Sequence, residues 1–245
     1  MLPYFDLSKL PGAEHGPALH IHASLYKMNF FSNSIEAGIE LLKRSDEWLA
    51  KSDRPAETRK LTHWKAMALR DGAITINNFY EEILAVDNNL KDCPHLRGLI
   101  DIEAKRLVKG LFESYFPSCA DIRHGVAHLA EFYSTPRQLA THSKGWINAM
   151  IDHSYHTSVN GKAVSYDLTT PTLQKLRVVE ARMWDIFTPI ISEASNNKFG
   201  DPEQVKLSIN YDDLAGRNFS AYNSSPLQVG KCIINRMRKH LARRG

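Results

Sequence analysis

The segment Arg123-His124-Gly125-Val126-Ala127-His128 sets a permanently charged guanidinium five residues before an imidazole that titrates near neutrality. Those two groups suffice to handle a phosphodiester without a metal. Arginine neutralises the non-bridging oxygens as charge builds on phosphorus, and histidine moves a proton to or from a ribose 2′-hydroxyl or the leaving oxygen. On a helix the step from Arg123 to His128 turns about 140° around the axis, so only a side chain as long as arginine converges with His128. His124 stands four residues before His128, on the same face.

Spacing alone does not single this segment out. With 15 arginines and 11 histidines in 245 residues, random placement gives roughly 0.7 such pairs, and Arg137 with His142 is a second one. Context separates the two. Pro117 stops one helix, and Ser118-Cys119-Ala120-Asp121 fits a capping box that starts the next. Arg123 to His128 then lies in the first turns of a helix whose Ile122, Val126, Ala127 and Leu129 can hold it against a core. Arg137 to His142 lies among Ser, Thr, Gln and Lys, as on a surface.

The elements that must position this segment are helical. Residues 1–28 mix Pro, Gly and the histidines His15, His20 and His22 without periodicity, and read as a loosely ordered arm with no metal-ligand pattern. From about Asn29 to Ala50, Phe30, Phe31, Ile35, Ile39, Leu42 and Trp48 recur at helical spacing. Ser52-Asp53-Arg54-Pro55 opens a second long helix to about Leu90. Its apolar stripe runs through Trp64, Met67, Ala68, Ile74 and Thr75, and Asp71 falls inside it. A carboxylate there is expected to be buried and paired, placed to orient Arg123 or to fix the tautomer of His128; pairing with Arg70 is the local alternative.

A third helix is expected from about His95 to Tyr115, with Leu99, Ile102, Leu107, Val108, Leu111 and Phe112 on its apolar side, and a short one from Thr135-Pro136 to about Asn148. Between Tyr155 and Asp167, the pair Asn160-Gly161 marks a tight two-stranded ribbon. Thr169-Thr170-Pro171 starts another helix through Leu173, Leu176, Val179, Met183, Trp184 and Phe187, interrupted near Pro189. Residues 195–226 read as a surface excursion. The last segment carries Lys231, Arg236, Arg238, Lys239, Arg243 and Arg244 with no acid, a run that suits an RNA backbone or simply a solvated face.

The motif and the layout around it resemble the HEPN domains, helical bundles whose signature is an arginine, four to six residues, and a histidine, commonly with a polar residue after the arginine. The resemblance covers about residues 29–195. It implies an all-α, antiparallel bundle with a small β-hairpin insertion near 155–167, dimerising with the motif helices facing each other. It further implies a metal-independent endoribonuclease site in the shared cleft, acting in stress response or defence against foreign genetic elements. Arg123 and His128 would be the catalytic pair and His124 the auxiliary polar position. A subset of the family acts as toxin beside a nucleotidyltransferase antitoxin and carries a tyrosine two residues after the histidine. Ala130 stands there in this chain, so that partnership is not expected.

Two other readings compete. His124 and His128 with Glu131 one turn on could begin a metal site, but no HExxH, HD dipeptide or second carboxylate-rich helix completes it, and no cofactor or metal is expected. A non-catalytic reading makes the chain a helical dimeric interaction or regulatory module, binding RNA or a nucleotide, in which Arg123 and His128 only stabilise the dimer. Sealing of both side chains in the core would favour it.

Composition narrows the setting. With 43% hydrophobic and 24% charged residues, the chain is expected to fold as one globular domain, residues 29–195, with an arm before it and an extension at 196–245. No run approaches the roughly 18 apolar residues of a membrane span, and the start lacks a signal-peptide pattern, which predicts a cytoplasmic protein. Cys93, Cys119 and Cys232 are scattered without CxxC spacing and are expected to be reduced, packed thiols. The net charge of +4 is compatible with an anionic partner but does not demand one.

Overall fold

A computed structural model describes residues 3–127, 149–159 and 161–192. Residues Phe5–Ile190 form one compact unit; the described residues of the second unit, Pro3, Tyr4, Ile191 and Ser192, are joined by a hydrogen bond from the Ser192 N–H to the Tyr4 carbonyl, 2.8 Å. No described helix is long and apolar enough to cross a membrane.

Two helices of 35 residues each, α1 (His15–Leu49) and α2 (Pro55–Asn89), form an antiparallel hairpin. Each is about 50 Å long at the usual rise, and the five residues between them leave no alternative to side-by-side packing. Ile21, Leu25, Met28, Ser32, Ile35, Ile39 and Leu42 of α1 are buried at three- and four-residue steps. On α2 the buried set is Leu61, Ala68, Leu69, Ala73, Ile76, Phe79, Ile83 and Val86. Pro55 sits in the first turn of α2, where its missing N–H costs nothing.

Helix α1 begins fourteen residues before the expected start, so half of the segment read as a loose arm is helix. Pro17 and Gly16 look like breakers, but they occupy the first turn, where a proline's missing N–H needs no partner. The three histidines there do not converge: His15 Nε2 meets the Leu10 carbonyl at 3.1 Å, His20 is exposed, and His22 is buried among the rings of Phe5, Tyr26 and Trp184.

The expected third helix is two. Helix α3 (Pro94–Leu99) ends where Ile100 turns extended, and Asp101 caps α4 (Ile102–Tyr115) by accepting from the Ala104 N–H at 2.9 Å. Helix α3 is capped from far away: the buried Glu14 carboxylate accepts from the N–H groups of His95, 2.8 Å, and Leu96, 3.0 Å. On α4 only Val108 and Phe112 are buried, with Phe112 stacked on Phe79 and Tyr80; Leu107, expected inside, is 74% exposed.

After α5 (Cys119–Ala127) come three antiparallel strands in the order β1 (Ala149–Ile151), β2 (Ser154–Val159) and β3 (Lys162–Asp167). The β2–β3 ribbon was expected; Val159 pairs with Lys162, and Gly161 has a φ of 75°. The third strand, β1, was not expected. It is joined to β2 through Asp152, whose φ of 53° is a left-handed conformation that aspartate tolerates better than most residues.

Leu168, fully buried, anchors the end of β3 in the crevice between α1 and α2. A side chain at Gly38 or Gly72 would meet it at 3.2 or 3.1 Å. Helix α6 (Thr170–Ile186) then packs on α1 and α4, and Pro189 lies in a single 3-10 turn beyond its end, as expected. Its Glu180 is buried but satisfied, accepting from Asn29 Nδ2 at 2.6 Å and from the Arg177 guanidinium at 3.2 Å. The expected short helix ending near Asn148, and the segments 195–226 and 226–245, lie outside the described residues.

Candidate functional site

Helix α5 carries the candidate motif. Its inner face is fixed by Ile122, Gly125 and Val126, all buried, against α2 and the sheet. Gly125 marks the closest approach: a Cβ there would lie 2.8 Å from Thr157 Cγ2 and 3.2 Å from Val159 Cγ2, so only glycine lets this turn sit on β2. With that face committed, Arg123 is exposed and His124 is half-buried. Ala127 is the last described residue of α5; His128 lies outside the described residues, as do Glu131, Arg137 and His142.

The start of α5 departs from the expected capping box. The Ser118 carbonyl accepts from the Ile122 N–H at 2.9 Å, as at a helix start, but the Ser118 hydroxyl makes no hydrogen bond among the described residues. Asp121, instead of reaching back, faces Lys162 of β3 at 3.8 Å.

Asp71 is a correction. It is exposed, not buried, because the stripe of α2 passes to either side of it through Leu69, Gly72, Ala73 and Ile76. It makes no hydrogen bond or ion pair among the described residues, so nothing links it to Arg123. Protein crowding around the carboxylate still raises its pKa, by desolvation. Met67, expected on the same stripe, is 64% exposed. Ala68 and Thr75 of the expected stripe are buried, but the inner face is centred on Leu61, Leu69, Ile76 and Phe79, so Trp64 and Ile74 lie at its edge and Met67 and Asp71 outside it.

Beside the first turn of α5 is a pocket of about 180 Å³ that no sequence pattern pointed to. Its walls come from the loop Tyr115–Cys119, from β3 and from the first turns of α6. Tyr166 lines it; this ring is only 9% exposed, and its phenol oxygen is buried against α2, next to the Ala73 backbone and 2.8 Å from where a Gly72 Cβ would stand. Burial pushes the phenol's pKa well above its ordinary value, with a smaller contribution from the Asp71 charge. Lys175 lies across the pocket with its ammonium 5.5 Å from the centroid of the Tyr115 ring. These residues come from three separate elements, which is why spacing could not bring them together. The inward alternation Val164, Tyr166, Leu168 was the one available signal.

Cys119 lines the same pocket, half-buried, its thiol pKa pushed up by desolvation and partly offset by the Ala120 N–H. Cys93 is buried, with its pKa pushed up to about 11 by desolvation and the nearby Glu14 charge. Cys232 and the basic residues Arg236, Arg238, Lys239, Arg243 and Arg244 lie outside the described residues. Among the described residues no three His, Cys, Asp or Glu side chains gather as metal ligands would.

No protein-family model, no curated protein and no solved structure matches the chain.

Proposed function

We propose that the chain is a metal-independent endoribonuclease of the HEPN type, dimerising through its motif helices. The observation that carries this reading is the exposure of Arg123 on a helix whose opposite face is locked by Gly125 and Val126. A guanidinium held on a rigid element and left open to solvent is available to a phosphate. Had it been sealed in the core, the non-catalytic dimer module would have been favoured.

In this mechanism Arg123 neutralises the non-bridging oxygens as the 2′-oxygen of a ribose attacks the adjacent phosphorus. His128 takes the 2′-hydroxyl proton or supplies one to the leaving 5′-oxygen. The new P–O2′ bond replaces the P–O5′ bond, giving a cyclic phosphate and a free 5′-hydroxyl. His124 supports the pair from the preceding turn. Asp71, exposed and unlinked to Arg123, has no part in this scheme.

The test is RNA cleavage in EDTA by the wild-type chain, Arg123→Ala and His128→Ala, each shown to be folded by circular dichroism. Each substitution is expected to lower the rate by about 100-fold or more. Cleavage that survives both substitutions, or that needs added metal, removes the proposal. RNA binding without cleavage by the wild-type chain identifies the interaction module instead.

A further inference from the structure

Positive charge among the described residues gathers at the end of the helical hairpin. From Lys43 in the last turns of α1 to Arg70 in α2 there are eight lysines and arginines against four aspartates and glutamates. The other described residues hold 12 against 17. Two of the four acids are already neutralised, Asp46 by Lys65 and Glu57 by Arg54. The side chains of Lys43, Lys51, Arg59, Lys60 and Arg70 make no hydrogen bond or ion pair among the described residues, and only Glu47 and Asp53 stand unpaired beside them. Unpaired cations crowded on one segment repel one another, and a polyanion relieves that repulsion.

An aromatic surface lies among these charges. Trp48 of α1 and Trp64 of α2 are both half-buried and meet with 6.4 Å between ring centroids and 62° between planes. The ammonium of the exposed Lys60 stands 5.0 Å from the centroid of the Trp64 ring, so that face of the indole opens outward. Met67, three residues on from Trp64 and therefore on its side of the helix, is 64% exposed. Indole rings bordered by free cations stack bases and hold phosphates, and they select a single strand because a duplex hides the faces of its bases. An anionic membrane asks for a different tip, with apolar residues leading. Here the leading residues are Lys51, Ser52, Asp53 and Arg54.

We propose that the hairpin end binds single-stranded RNA, with Trp48 and Trp64 stacking on bases and with Lys51, three residues after Trp48, and Lys60, four before Trp64, on the phosphates. The choice of RNA rests on the nuclease reading; the surface itself uses neither Arg123 nor His128.

The test is fluorescence anisotropy of a labelled single-stranded RNA of about 12 nucleotides, titrated with the full-length chain. The strand is 2′-O-methylated throughout, so that it has no 2′-hydroxyl to attack and binding is measured apart from cleavage. Lys51→Gln with Lys60→Gln is expected to weaken binding about tenfold and to lower the slope of log affinity against log salt by about two. Trp48→Leu with Trp64→Leu, shown to be folded by circular dichroism, is expected to weaken it about tenfold or more with the slope unchanged. Affinity undiminished in the lysine variant, as it would be if the basic residues of 231–244 alone held the strand, overturns the proposal. So does affinity undiminished in the tryptophan variant, or wild-type binding to phosphatidylserine vesicles without binding to the strand. The nuclease reading fails separately, if the wild-type chain binds the methylated strand in this way yet leaves its unmethylated counterpart uncut.

Discussion

Gly125 shows how one missing side chain sets the position of the candidate site. An added Cβ would stand 2.8 Å from Thr157 Cγ2 and 3.1 Å from its Oγ1, and Thr157 is 2% exposed with nowhere to retreat. Gly125→Ala gains about 1 kcal/mol of helix propensity but forces α5 off the sheet, an overpacking cost of about 1–3 kcal/mol. The net is expected to be a lower urea midpoint, and adding Thr157→Ser, which removes the nearest atom, should recover part of it. No recovery would locate the strain elsewhere. A second residue-scale prediction concerns Asp46. Burial alone would raise its pKa, but hydrogen bonds from Lys65 at 2.5 Å and His153 at 2.6 Å outweigh that and hold it below 3.8. A carboxyl with a depressed folded pKa contributes stability above its unfolded pKa and loses it as pH falls through the folded value. Stability from this group is therefore full above about pH 5 and fades below pH 3.8. Because the side chain is 39% exposed, solvent screening keeps the contribution under about 1 kcal/mol. In Asp46→Asn the acid limb of stability against pH should be flatter; an unchanged limb would show the pair to be energetically silent. At this scale, reading the sequence located Arg123 and His124 on the right helix because Pro117 and Ser118 announce its start. It misplaced Asp71, because a stripe widened to take in Met67 and Ile74 is turned by part of a residue step from the true inner face, which keeps Ala68 and Thr75 inside and leaves Met67 and Asp71 on the exposed edge.

Helices α1 and α2 were legible because their apolar residues repeat for many turns, while the short elements depend on contacts from far along the chain. The clearest case is α3, only six residues from Pro94 to Leu99, too short to persist alone. Its start is held by the Glu14 carboxylate, 81 residues earlier in the sequence, through two charge-assisted hydrogen bonds. No local pattern marks Glu14 as a cap. Glu14 is 5% exposed, so Glu14→Ala strands two N–H groups and is expected to cost about 2–4 kcal/mol in urea unfolding. Hydrogen exchange at Leu96 should accelerate ahead of the amides of α1 and α2. Glu14→Gln, which keeps one acceptor oxygen, should lie between. Equal exchange at Leu96 in all three proteins would mean that α3 is held by packing alone. The same dependence on distant partners explains β1 and the split between α3 and α4: Ala149–Ile151 is a strand only because β2 lies beside it, and Asp101 ends a helix that the apolar spacing alone would continue.

For the whole molecule, a mostly helical bundle with a small antiparallel ribbon was legible from composition and periodicity, and the pocket was not, since Tyr115, Tyr166 and Lys175 meet only after α4, β3 and α6 have packed. The bundle leaves one side of α5 buried on α2 and β2 and the other bearing Arg123 outward. If the proposed nuclease reading holds, that outward side is where a second copy docks, and the working site exists only in the pair. The number of sites then follows the dimer concentration, not the chain concentration. Diluting the chain through its dimer dissociation constant should lower cleavage per chain in step with the fall in sedimentation coefficient, approaching a second-order dependence on protein. Arg123→Ala, which removes the like charges that a two-fold axis between facing motif helices brings together, should shift the sedimentation transition to lower protein concentration by up to about tenfold, equivalent to about 1.4 kcal/mol. The fold within one chain should be untouched, because Arg123 makes no ion pair among the described residues. Cleavage per chain that stays constant from dimer to monomer would place the whole site in a single copy and remove the shared-cleft geometry while leaving the chemistry of Arg123 open to test.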